Sequence, residues 1–305
     1  MHQIRFLLTN ILISGLLVST ILTGCSRRQK QPEYYPYENL LTIAGDCRRF
    51  LRADIYRFPY PEDPSGQNFY KSSLVRLANY EKIYPDRFTE VISYLKGRLY
   101  QRLGDYEQAM HHFRIVSAMN GELALLAEEW LEISETFHTV CDFNIDADTA
   151  RDYILQYETQ IEALGTLVEK CRGLEAESEA LVEKEKAEVD FAVFLQDNRH
   201  ILPGGAEKAF QAWNDIIEEH PESKNIQSHR IHLADFYFTL AKDYASWKPP
   251  ERIGFEWSVF ESYVGAARRI YYQVTLQDGY PEKPEAKAKL EALLSFMENV
   301  RRKSR

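Results

Sequence analysis

Apolar residues recur at steps of three and four along most of the chain, which is the period of an amphipathic helix. No proline occurs between Pro85 and Pro203, so no proline breaks a helix in this long central stretch. Signals for strands are missing, because β-branched and polar residues do not alternate and no hairpin dipeptide separates such runs. The pattern therefore predicts an all-α protein.

The most regular pair of predicted helices lies in residues 91–121, VISYLKGRLYQRLGDYEQAMHHFRIVSAMNG. Gly104 suits the left-handed backbone position that follows a helix. Asp105 can cap the next helix, and Gln108 three residues later completes a capping box. These residues predict two helices joined by a tight turn.

This pair resembles a tetratricopeptide (TPR) repeat, a helical hairpin with small residues where its helices touch and large apolar residues beside them. The matching positions are Gly97, Tyr100, Gly104, Tyr106, Ala109, Phe113 and Val116. Ser93, Lys96 and Gly121 depart from the family, which has an aromatic residue, a leucine and a proline there. Gly97 and Ala109 are expected to let the two helices approach closely.

A partial match to the same repeat follows in residues 204–223, GGAEKAFQAWNDIIEEHPES. The turn, small-contact, aromatic, aliphatic and terminating positions are held by Gly204, Ala209, Trp213, Ile216 and Pro221. Further hairpin helices are expected before Pro85, after residue 228, before Gly279, and from Pro284 to Val300. Four or five hairpins exceed the three or so that a continuous core needs. We predict an irregular TPR-like helical-hairpin array, an α-solenoid, with a long central helix.

The central segment differs from the repeats. Thr149 and Asp152 indicate the start of a helix. An apolar seam of the coiled-coil type follows at Ile154, Tyr157, Ile161, Leu164, Val168 and Cys171. It fades into a charged stretch, residues 173–190, whose many glutamates are expected to face solvent. Two arrangements fit: an elongated helix packed inside the array, or a protruding antiparallel arm that contacts a partner.

The N-terminus has the pattern of an export signal. The apolar stretch Phe6–Ile21 leads into Leu22-Thr23-Gly24-Cys25, which resembles the bacterial lipobox. The resemblance implies that the signal is removed before Cys25, which then carries the acyl chains, palmitate among them, that anchor the protein. Ser26, in place of aspartate, implies transport to the outer membrane. An uncleaved membrane span is the alternative.

Five segments follow from these patterns. They are a signal peptide (1–24), a lipid-anchored tether (25–40), an N-terminal helical, TPR-like region (41–145), a long helical coiled-coil-like segment (146–195) and a C-terminal TPR-like region (196–305). The remaining cysteines, Cys47, Cys141 and Cys171, have no zinc-site spacing. One disulfide, Cys141–Cys171, is left open for an exported protein.

The net charge and the lack of known catalytic motifs exclude several classes of function. The net charge of −9 gives no electrostatic footprint for nucleic acid. No phosphate loop, nucleophile elbow or HExxH helix occurs. His229, His232 and Asp235 lie three residues apart, so two of them can reach one metal ion, but they fit the polar side of a helix better. We therefore predict neither an enzyme nor a metal or other cofactor.

The sequence thus favours a lipid-anchored scaffold or adaptor on the periplasmic face of the outer membrane, with protein partners in an envelope complex. Tyrosines in predicted helices are candidates for lining a binding groove; examples are Tyr94, Tyr237, Tyr263 and Tyr272. Two alternatives remain. The stretches IIEEHPES and HLADFYFTLAKDY resemble repeats of the TPR lipoprotein of the barrel-assembly machinery. A metal-dependent helical enzyme is the other.

Overall fold

The structure is a computed structural model that describes residues 39–53, 67–141, 145, 147 and 149–304. Within these residues the regular elements are all helices: α1 (Leu40–Ala53), α2 (Gln67–Ile83), α3 (Thr89–Arg102), α4 (Tyr106–Ala118), α5 (Ala124–Cys141), α6 (Ala150–Lys170), α7 (Glu177–Asp197), α8 (Gly205–Glu219), α9 (Ile226–Trp247), α10 (Trp257–Thr275) and α11 (Lys283–Lys303). The all-α prediction is confirmed. The predicted lipobox with Cys25, and the segments 26–38 and 54–66, lie outside the described residues.

The helices pack in chain order. Each of them contacts the next along the chain, and α9 also contacts α11. Buried apolar side chains form clusters between successive helices along the array. The described part of the chain is therefore an array of helical hairpins, as predicted. Membership of the hairpins in the TPR family stays a prediction.

The hairpin of α3 and α4 has the predicted turn. Gly104 has a φ of 74°, and the N–H of Gln108 donates to Asp105 Oδ1 over 3.1 Å. A Cβ on Gly97 would lie 2.6 Å from a ring carbon of Phe113, whose side chain is fully buried. The two helices touch at Gly97 because it lacks a side chain. Ala109 is fully buried on α4.

The second matched stretch also forms a helix pair, α8 and α9. Gly204 precedes α8 with a φ of 65°, and α8 ends two residues before Pro221. Trp213 is buried, and its indole N–H donates to Gln196 Oε1 over 3.1 Å. Gly205 was not singled out in the sequence, yet a Cβ there would lie 2.6 Å from the carbonyl oxygen of Arg199. That close backbone contact fixes how the chain enters α8.

The central segment packs inside the array. It consists of α6 and α7, of 21 residues each, and the turn that joins them contains Gly173 at a φ of 76°. α6 contacts α5 and α7, and α7 contacts α8. The predicted helix start is present, since Thr149 accepts the N–H of Asp152 over 3.2 Å. The prediction of one long central helix was wrong, because the turn around Gly173 divides the segment into two helices. Both helices pack inside the array and do not form a protruding arm.

Three acidic side chains of α7 contradict the expectation of a solvated charged face. Glu179, Glu185 and Glu188 are all buried. They bond Lys184 of α7 itself and four residues that are distant in the chain: Arg102 of α3, His220 and Ser223 of the turn after α8, and His229 of α9. The sequence pattern of α7 alone does not reveal the distant partners.

Cys47, Cys141 and Cys171 are free thiols in this structure, so the disulfide left open at Cys141–Cys171 is not formed. Burial raises the pKa of the Cys141 thiol to about 12, and the nearby Glu183 adds to the effect. No helix in the described part of the chain combines the length and the apolarity that a membrane crossing requires.

Candidate binding groove

An open groove with a volume of about 470 Å³ lies between α6, α7 and α8. Its apolar lining is supplied by Ile154, Ile161, Phe191, Leu195 and Ile216. Tyr157 supports the groove from α6, with its ring 5.3 Å from that of Phe191. The groove therefore offers apolar surface from three successive helices.

The charged residues that line this groove are mostly acidic. They are Glu158, Glu162, Glu188, Asp215 and Glu219, against the single base Lys208. Glu158, Glu162 and Glu219 are exposed, while Asp215 is half-buried and accepts a hydrogen bond of 2.6 Å from Gln211. Such a cleft attracts cationic groups, because the low-dielectric walls strengthen the field of its carboxylates.

Beneath the rim, Glu188 is held by two basic groups. Lys184 Nζ lies 2.5 Å from Glu188 Oε1 and 2.6 Å from Glu219 Oε2, and His220 Nε2 lies 2.5 Å from Glu188 Oε2. Burial by itself would raise the pKa of Glu188, but the bonds from His220 and Lys184 outweigh it and lower that pKa. The pKa of Lys184 is raised by Glu188 and Glu219 against the effect of burial.

A second buried cluster lies one turn earlier on α7, around Glu185. Its Oε1 accepts hydrogen bonds from Ser223 Oγ at 2.6 Å and from His229 Nε2. Burial works to raise the pKa of Glu185, yet the bonds from His229 and Ser223 prevail and lower it. The two clusters join α7 to the α8–α9 turn and to α9.

The far end of α7 is fixed by arginines of α3. Arg102 Nε lies 3.0 Å from Glu179 Oε1, and Arg98 Nη2 lies 3.1 Å from Glu175 Oε1. The guanidinium of Arg98 also stacks over the Trp130 ring at 3.5 Å. α7 thus carries a buried ion pair in its first turn and buried hydrogen bonds at its middle, and it forms one wall of the groove.

Glu188, Glu219 and His220 place ligand-type atoms within 4.8 Å of one another, a spacing that metal ligands share. The ammonium of Lys184 already bridges the two carboxylates. Since this internal cation compensates their charge, we interpret the cluster as an ion-pair network that supports the groove.

The three residues weighed for a metal in the sequence contact different partners. His229 bonds Glu185 and is buried, so its assignment to the polar side of the helix was wrong. The His232 ring lies 5.1 Å from the Trp213 ring. Asp235 accepts from Tyr271 Oη and Lys289 Nζ, both at 2.5 Å. The side chains of His229, His232 and Asp235 therefore each bind a different partner and are not gathered around one point.

The tyrosines proposed for the groove lie elsewhere. Tyr94 and Tyr237 pack against core clusters, Tyr263 lines another cavity, and Tyr272 is exposed on α10. The aromatic residue that lines the groove is Phe191. Its four-residue spacing from Leu195 is a usable sequence signal, but neither residue was singled out from the sequence, which marked only residues 173–190 as charged.

Comparisons of the chain with protein-family models and with curated proteins found no match. The functional argument therefore rests on the fold and on the chemistry of the groove.

Proposed function

We propose that this protein is a scaffold or adaptor whose groove between α6, α7 and α8 binds a basic, amphipathic segment of a partner protein. One observation carries the proposal: apolar side chains of three helices line a groove whose charged residues, apart from the two carboxylates that Lys184 bridges, are three carboxylates and one lysine. An amphipathic helix that enters such a groove buries its apolar side chains and leaves its polar face at the rim. The acidic rim selects lysine and arginine for that face.

Helix α7 forms one wall of the groove and is already held in place by buried side-chain bonds, which favours binding of a partner segment. A preorganised groove loses little conformational entropy when a segment binds, so more of the contact energy appears as affinity. The hydrogen bonds of Glu185 to His229 and of Glu188 to His220 hold α7 before any partner arrives. Binding, and not a chemical step, is the activity that we assign to the site.

We further propose that Cys25 tethers this TPR-like array, through its lipid, to the periplasmic face of the outer membrane. The support is the lipobox-like Leu22-Thr23-Gly24-Cys25 after an apolar stretch. A tether raises the local concentration of the groove near membrane-bound partners, which increases apparent affinity without new contacts.

The groove is tested by a photo-crosslinking amino acid placed at Gln211, which lines the groove. After illumination of cells, we expect a discrete crosslinked partner at this position, because Gln211 faces any segment that occupies the groove. The matched control places the same group at Gln273, which is exposed on α10. Equal crosslinking at both positions, or none at Gln211, contradicts the proposal.

The anchor is tested by Cys25→Ala. This variant should stay unprocessed or leave the membrane fraction, because the thiol that would carry the lipid is gone. Membrane fractionation and the mass of the mature chain measure the effect, and Cys47→Ala is the control. Unchanged size and unchanged membrane attachment would favour the uncleaved span.

A further inference from the structure

The contacts between α6 and α7 show that these two helices of the groove run in opposite directions. Near the start of α6, the centroid of the Tyr153 ring lies 5.4 Å from that of Phe194, which is close to the end of α7. Further along α6, a Cβ on Gly165 would lie 3.9 Å from Cε of Lys184, which is near the start of α7. The start of α6 therefore lies beside the end of α7.

Helices α7 and α8 are antiparallel as well. The indole N–H of Trp213 donates over 3.1 Å to Gln196, near the end of α7. Lys184 Nζ, near the start of α7, lies 2.6 Å from an oxygen of Glu219, the last residue of α8. The outer helices α6 and α8 therefore run in the same direction on either side of α7, so the groove has one end where both of them begin.

The two ends of the groove differ in charge. Lys208, in the first turn of α8, is the one base among the described residues that line it. Its side chain is exposed and forms no ion pair within the described part of the chain. The carboxylates that Lys184 does not bridge lie further along the two outer helices; they are Glu158, Glu162 and Asp215. We call the two ends the Lys208 end and the Glu162 end.

The dipole of α8 adds to this difference. The helix begins at Gly205, three residues before Lys208, and ends at Glu219. The N-terminus of a helix carries a partial positive charge and its C-terminus a partial negative one. The Lys208 end is thus positive through both the lysine and the helix start, and the Glu162 end is negative through both the carboxylates and the helix end.

We propose that the groove takes its helical partner segment in one direction, with a basic N-terminal half at the Glu162 end and an acidic C-terminal turn at the Lys208 end. The inference rests on the proposed binding of a basic amphipathic segment and adds the direction and the charge pattern of that segment. From Lys208 to Glu219, α8 advances about 16 Å, which corresponds to about three turns of a bound helix. The partner helix then runs parallel to α7, and its own dipole matches the charges at both ends.

Two synthetic helices with the same composition test the direction. One is a leucine–lysine helix with two glutamates in its last turn, the other is the same sequence reversed, and the ends of both are acetylated and amidated. In calorimetric titrations of the purified full chain, we expect the first helix to bind about fivefold more tightly. The reversed peptide is the more stable isolated helix, because its charges complement its own dipole. Helix stability alone would therefore give the opposite preference.

A charge exchange at the two ends sharpens the test. Lys208→Glu/Glu162→Lys keeps the net charge of the chain and should make the reversed peptide the tighter ligand. Lys287→Glu/Glu291→Lys is the matched control, since it exchanges the charges of two exposed residues of α11 and should leave the preference unchanged.

A benzophenone on the N-terminus of the first peptide reports the direction without relying on affinity. After illumination, mass spectrometry should find it attached near Glu162 or at the last turn of α8. Attachment at residues 205–211, or tighter binding of the reversed peptide to the parent chain, overturns the proposed direction. Equal, saturable binding of both peptides overturns the direction and leaves the groove as a binding site. Binding of neither peptide overturns the proposed function of the groove together with the direction.

Discussion

Replacing Glu185 by leucine should lower the free energy of unfolding by about 2–4 kcal/mol, the cost of leaving two buried hydrogen-bond donors without their acceptor. Glu185 is 2% exposed and accepts hydrogen bonds from Ser223 and His229. Without the carboxylate, two buried donors lose their acceptor and stay out of reach of water. Urea denaturation followed by circular dichroism measures the change.

Two variants sharpen this test. Asp190→Leu changes an exposed acid on the same helix and should stay within about 0.5 kcal/mol of the parent chain. The double variant Glu185→Leu/His229→Leu should recover part of the lost stability, because one of the two buried donors left without an acceptor is then absent. If Glu185→Leu were as mild as Asp190→Leu, the buried cluster would not support α7.

Acid should destabilise the protein through the same carboxylates. The pKa values of Glu185 and Glu188 are lowered in the folded chain, so their contribution is present above the unfolded pKa of about 4.3 and is lost as the pH falls through the folded values. Unfolding free energies at neutral pH and near pH 4 measure this loss. It should shrink in Glu185→Gln/Glu188→Gln, and an unchanged loss would place the titrating groups elsewhere.

Gly97→Ala should lower the free energy of unfolding by about 1–2 kcal/mol, although alanine is the better helix former by about 1 kcal/mol. The new methyl group would stand 2.6–2.9 Å from three ring carbons of Phe113, which is fully buried and has no room to withdraw. Thermal and urea denaturation measure the change.

The control for this substitution is Gly165→Ala on α6. There the nearest atom to the added Cβ is Lys184 Cε at 3.9 Å, so alanine should stabilise the chain by about 0.5–1 kcal/mol. The two substitutions are chemically identical and should have opposite signs. A stabilising effect of Gly97→Ala would mean that α3 and α4 do not meet at this glycine.

The sequence predicted much of the helical framework because local signals encode it. Gly104 and Asp105 form their turn and cap within a few residues, and Thr149 opens α6 in the same way. The chemistry of turns and helix caps depends on residues that are close in sequence, so both can be predicted before the fold is known.

The groove was harder to predict because its parts come from three helices. Glu185 and Glu188 looked like members of a solvated face, since their partners His229 and His220 lie 44 and 32 positions away. A carboxylate paired across such a distance has the same local pattern as an exposed one. For the same reason the sequence suggested Tyr237 and Tyr263 as groove residues in place of Phe191.

The most direct measurement of the central claim is a calorimetric titration of the purified protein with a synthetic amphipathic helix of leucine and lysine. We predict saturable binding that weakens with added salt, and no binding of the matched leucine–glutamate helix. Glu158→Lys/Glu162→Lys, on the groove rim, should weaken binding about tenfold. Glu291→Lys/Glu298→Lys, the same change of charge on exposed residues of α11, should leave it nearly unchanged. Equal affinity for both helices, or equal effects of the two double variants, would contradict a groove that selects basic amphipathic segments.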